Sequence, residues 1–163
     1  MFKRLAALVF LLLALALLWP VRCLTAKCEG KLLFAWPIRA GERFEITFTH
    51  SLNLSPITDV IEWTGGDLVV IKSIFSTFGA GVPVPADGAG TELLVVDGHY
   101  ELIGIDKHMR SIPITVQEVP KHRITLDGRE ALLTALAEPG KTVVVSVKPA
   151  PLAARLLLRI NKV

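Results

Sequence analysis

Apolar residues along this chain fall mostly in short runs with a two-residue period. Phe44, Ile46 and Phe48 alternate with Glu45, Thr47 and Thr49, so Phe44 to His50 predicts a half-buried strand with His50 ending its apolar side. Similar runs cover Leu32–Trp36, Ile57–Trp63, Leu68–Phe75, Leu93–Val96, His99–Ile103, Ile112–Val119 and Arg123–Leu126. Turn residues separate them. Thr64-Gly65-Gly66-Asp67, Asp97-Gly98 and Asp127-Gly128 are hairpin signals, because such residues tolerate positive φ. Pro113 and Pro120 suit strand edges or ends, whereas the valine run in Thr142–Val147 suits a central strand.

Two segments break this rhythm. Leu132, Leu133 and Leu136 share one side of a helix predicted over Arg129–Ala137, which Pro139-Gly140 would stop. Residues Gly79 to Gly90 have no periodicity and read as a long loop of the kind that often carries function. Many short strands, one short helix and no βαβ alternation predict a mainly β domain, an antiparallel sandwich or barrel-like fold.

The start of the chain obeys a different rule. Lys3 and Arg4 precede an unbroken apolar run from Leu5 to Trp19, about 22 Å as a helix and short of the ~30 Å of bilayer hydrocarbon. This predicts a signal or anchor helix over residues 1–26, cut after Ala26 or retained, and an exported β domain over 27–150. The expected location is the periplasmic side of the cytoplasmic membrane, with the chain anchored or released. If the segment is retained, Cys23 and Cys28 are available to pair; if it is cut, Cys28 stands alone.

Charge refines the picture. Setting aside Lys3, Arg4 and Arg22, the 18 basic residues balance the 15 acidic ones, so the exported part is neutral despite the pI of about 9.0. Every acidic residue lies at or before Glu138, while Lys141, Lys148, Arg155, Arg159 and Lys162 follow it. No basic stripe with interleaved aromatics crosses the body, which argues against nucleic acid as a partner. The basic segment 151–163 is either a helix with Arg155, Arg159 and Lys162 on one face or a further strand. Its partner is then an anionic membrane surface or the acidic body.

Phe48-Thr49-His50-Ser51 and Phe78-Gly79-Ala80-Gly81-Val82-Pro83 stand out because no core demands them. The hairpin Ile57–Phe75 lies between them and would bring their ends together. The candidate ligand-binding set is therefore His50, Ser51, Asp59, Ser76, Gly79, Ala80 and Gly81, the glycines permitting close backbone approach. Catalysis by His50 on Ser51 is disfavoured, since strand neighbours point to opposite faces and no elbow motif presents the hydroxyl. His50, Asp59, His99 and His108 lack metal-ligand spacing, and no metal or cofactor is expected.

Phe48-Thr49-His50-Ser51, Ser55-Pro56-Ile57, Asp59 and Phe75 to Pro83 together resemble the DUF1850 family of small exported proteins, over roughly residues 28–148. In that family a glutamate is usual where Asp59 stands, and a leucine where Val82 stands. Members are commonly encoded beside TAXI-type TRAP transporters of carboxylates and related solutes. The resemblance implies a non-enzymatic transport accessory whose partner is a TRAP-type permease or its solute-binding protein, with no assigned catalytic residue. Two alternatives remain open: a small-ligand or metal-binding periplasmic module, and a small hydrolase using His50.

Overall fold

The computed structural model describes residue 10, residues 20–77 and residues 90–151. Within them the chain is mainly antiparallel β-structure, built from eleven strands and a single turn of 3-10 helix. A four-stranded sheet has the order β2-β1-β11-β8, from β1 (Pro20–Cys28), β2 (Lys31–Pro37), β8 (Ile112–Thr115) and β11 (Thr142–Pro151). A seven-stranded sheet has the order β10-β9-β3-β4-β5-β7-β6. It contains β3 (Arg43–Thr49), β4 (Pro56–Trp63), β5 (Leu68–Phe75), β6 (Glu92–Val96), β7 (His99–Met109), β9 (Arg123–Leu126) and β10 (Arg129–Leu132).

The two sheets share one core. Leu24, Ala26, Phe34, Trp36, Val143 and Val145 of the smaller sheet pack with Phe44, Ile46, Ile61, Trp63, Leu68 and Ile124 of the larger. Phe34 stacks on Trp36 with ring centroids 4.1 Å apart. A second cluster of Ile57, Phe75 and Leu102, with Phe48, Leu93 and Tyr100 against it, extends along β4, β5 and β7.

Turn chemistry is visible at three hairpins. Asp97-Gly98 (φ 47° and 81°) and Asp127-Gly128 (φ 48° and 70°) hold both central residues at positive φ, as the sequence predicts, and Glu29-Gly30 (φ 48° and 81°) does the same between β1 and β2. Pro113 lies on β8, an edge strand, and the valines of β11 lie between β1 and β8.

Of three expectations that the described residues touch, the first is overturned. First, the helix over Arg129–Ala137 does not form: Arg129–Leu132 is β10, followed by 3-10 helix at Leu133–Ala135. The Asp127-Gly128 turn folds Arg129 back opposite Leu126, and Ala131 pairs with Ile124. Hairpin closure and burial of Leu133 override the leucine spacing. Second, the boundary expected at residue 26 falls inside β1, which pairs with β11 from Pro20↔Pro151 to Cys28↔Val143. Leu24 and Ala26 are fully buried, so residues on both sides of that boundary belong to the core. Third, Cys23 and Cys28 do not bond to each other. Five steps along one strand hold their Cα atoms about 16 Å apart, far beyond disulfide reach. The predicted helix before Pro20 and the tail 152–163 lie outside the described residues.

Candidate functional site

Direct cross-strand partners share a face, so the register determines what lies beside each candidate residue. Ile46, Asp59, Ser73 and Leu102 are successive partners across β3, β4, β5 and β7. The adjacent row is Phe48, Ile57, Phe75 and Tyr100. Ile46, Ile57, Phe75 and Leu102 are all buried, so Asp59 is a carboxylate on the core-facing side of the large sheet, bordered by apolar residues.

Asp59 is half-buried and has no ion-pair partner among the described residues. Burial raises its pKa above the ordinary aspartate value, and the Ser73 hydroxyl and the positive charge of Lys107 pull it back. Ser73 is 1% exposed, and its Oγ lies beside the carboxylate without closing a hydrogen bond of good geometry. In the neighbouring row the ring of His122 lies 5.3 Å from that of Phe48. His122 Nδ1 is also buried without a partner, and burial lowers the pKa of its imidazole. Ser73 Oγ and His122 Nδ1 are the buried side-chain polar atoms left unsatisfied among the described residues. The two lie apart: His122 stands beside Phe48 of β3, and Ser73 is on β5, two strands further along the sheet.

His50 ends β3 and is buried, but its work is local. Its carbonyl accepts from Leu54 N (2.9 Å), its N–H donates to Ser55 O (2.8 Å), and its Nδ1 accepts from Leu52 N at 3.3 Å. These bonds close a tight turn over residues 50–55. Ser55 Oγ donates to Asn53 Oδ1 (3.0 Å), Asn53 Nδ2 donates to Thr77 Oγ1 (2.8 Å), and Thr77 Oγ1 donates to Ser55 Oγ (2.7 Å). The turn is thereby tied to the end of β5, because Ile57 pairs with Phe75 at the open end of the β4–β5 hairpin.

The predicted set is thus brought together only in part. The turn that begins at His50 meets the chain after β5 at Thr77, through Asn53 and Ser55, and both Ser51 and Ser76 are exposed. Asp59 lies deeper: His50 is four residues along β3 from Ile46, the partner of Asp59, or about 13 Å of strand rise. Among the described residues no hydrogen bond joins His50 to Asp59 or to Ser51. Gly79, Ala80 and Gly81 lie outside the described residues. His99 and His108 belong elsewhere, His99 with Glu101 at 3.5 Å and His108 with Asp106 at 3.1 Å. No group of three or more His, Cys, Asp or Glu suited to a metal ion is found among the described residues.

Sequence reading missed Ser73 and His122. The only signal for His122 was its place just before the predicted strand Arg123–Leu126, and for Ser73 a register that a bulge conceals. A small antiparallel β domain with a half-buried carboxylate on its core face and a hydrogen-bonded turn at one end is what these residues define. A family model described as Domain of unknown function (DUF1850) matches residues 44–133, from the start of β3 through β10, and the chain belongs to that family. No curated protein and no solved structure matches it.

Proposed function

We propose that this is an exported, non-enzymatic accessory of a solute-uptake system of the TRAP type, handling carboxylates or related solutes. It is held at the outer face of the cytoplasmic membrane and touches the permease or its solute-binding protein through the turn His50–Ser55. The observation supporting contact is at Leu54. This leucine is 67% exposed and adopts φ 51°, a conformation unfavourable for a residue with a Cβ, and Leu52 beside it is 72% exposed. Exposed apolar side chains on a strained but well-bonded turn favour a partner surface over a solvated loop. The test is a photo-crosslinking residue at position 54 in cells carrying the transporter. An adduct with the permease or its binding protein is expected. Absence of any adduct, with uptake unchanged after deletion of the protein, would overturn the reading.

A second reading, a small-ligand-binding module, is favoured by Asp59 and Ser73. A half-buried carboxylate beside the unsatisfied Ser73 Oγ, next to Ile57 and Phe75, suits a small molecule with a polar end and an apolar body. Solutes from the uptake assay, titrated against the full chain and Asp59→Asn, test it: binding lost in the variant supports this reading, and equal binding removes it.

A further inference from the structure

Pro20 and Pro151 are cross-strand partners at one end of the small sheet. The ends of β1 and β11 therefore lie side by side, one inter-strand spacing of about 5 Å apart. The apolar run Leu5–Trp19 ends directly at Pro20 with no linker, and Arg155, Arg159 and Lys162 follow Pro151 within twelve residues.

The same end of the molecule includes parts of both sheets. Ile38 N donates to Arg22 O (3.1 Å) and Gly41 N donates to Trp63 O (2.8 Å), joining the beginning of β1 to the end of β4. Arg22, Arg39 and Lys148 are exposed here, and none has an ion-pair partner among the described residues. Two acidic neighbours are already engaged: Glu42 accepts from Arg39 N (2.9 Å) and Glu62 pairs with Arg43 (3.0 Å). β1 runs nine residues from this end, and β3 runs from Arg43 to Thr49, so the His50 turn lies at the opposite end. Thr49 N donates there to Pro120 O (2.7 Å). The strand rise sets the two ends about 25 Å apart.

We infer that the Pro20–Pro151 end is seated on an anionic lipid surface, with the His50 turn held at the far end and facing away from the membrane. The inference rests on the proposed membrane-held state of the chain. Because no linker separates Trp19 from Pro20, a membrane-inserted apolar run leaves the domain little freedom to turn over. The exposed cations Arg22, Arg39 and Lys148 then meet headgroups, an interaction that weakens with salt.

The test uses the full chain reconstituted into phosphatidylcholine vesicles with and without phosphatidylglycerol, carrying a headgroup-attached quencher. A fluorophore is placed on Arg39→Cys or, separately, on Asn53→Cys; the native Cys23 and Cys28 are buried from the label. Several-fold stronger quenching at position 39 than at 53 is expected. Phosphatidylglycerol should strengthen it at low salt, and Arg22→Gln with Lys148→Gln should reduce that increment several-fold. Equal quenching at both positions, or stronger quenching at 53, overturns the orientation while leaving membrane attachment intact. An increment unchanged in that double variant overturns the role of these cations. A chain that associates with neither vesicle overturns the membrane-held reading and this inference with it.

Discussion

Asp59 and Ser73 face each other across the β4–β5 hairpin on the core side of the large sheet, and no basic side chain among the described residues forms an ion pair with the carboxylate. Because burial raises the Asp59 pKa above 3.8, the folded chain holds a proton that the unfolded chain has lost in the window just above that value. In that window folding binds the extra proton, so stability falls as pH rises through it. Asp59→Asn removes the titration. The variant should lose this decline and be more stable than the wild type at neutral pH, by on the order of 1 kcal/mol. Urea midpoints measured across the acid range check this, and a wild type whose stability rises over the window would contradict it.

His122 titrates with the opposite sign. Burial lowers its pKa below 6.5, so on acidification the unfolded chain takes up a proton before the folded one does, and stability is lost as pH falls below that value. His122→Phe keeps an aromatic ring against Phe48 and removes the unsatisfied Nδ1. The drop in thermal midpoint between about pH 7 and about pH 5 should shrink in this variant, and an unchanged drop would assign the acid sensitivity to another group.

A chain starting at Pro20 should fold, and one starting at Lys27 should not. The shorter chain lacks Leu24 and Ala26, both fully buried, and most of the strand joining β2 to β11. Truncating a single buried leucine costs about 2–5 kcal/mol, a large part of a domain's total of about 5–15 kcal/mol. Circular-dichroism melts of the two chains decide the matter: a cooperative transition in the chain from Lys27 would show β1 to be dispensable. The mass of the exported protein gives a second check, since a folded product should retain Pro20.

Local chemistry made most strands legible. Clean alternation in Phe44–Thr49 and the Asp97-Gly98 turn made β3 and the β6–β7 hairpin legible without tertiary information, whereas after Asp127-Gly128 the leucine spacing pointed to a helix where β10 forms. β1 was hidden because Pro20–Ala26 follows an apolar run, where the pattern of an export signal masks that of a strand. The Asp59 site was hidden by one residue. At its turn the hairpin pairs Trp63 with Leu68, a register that continued unbroken would set Asp59 opposite Lys72 as an ion pair. A bulge between Val70 and Lys72 shifts it, so that Asp59 faces Ser73 while Lys72 pairs on the other face with Glu101 at 2.9 Å. A single extra residue in a ladder moves the following side chains to new partners, and no periodicity signals it.

Leu54 provides a test that separates stability from contact. Its N–H donates to His50 O at 2.9 Å, so the turn needs the backbone at this position, but at φ 51° the side chain carries a steric cost that glycine lacks. Its 67% exposure leaves little burial to offset that cost within the domain. Leu54→Gly should therefore raise stability by about 1 kcal/mol, seen as a higher denaturant midpoint with an unchanged slope. If the leucine serves a partner, the same variant should lower solute uptake in cells despite its greater stability. A stabilised variant with full uptake would show that the strained leucine has no part in contact, and a destabilised one would show that its side chain packs within the domain after all.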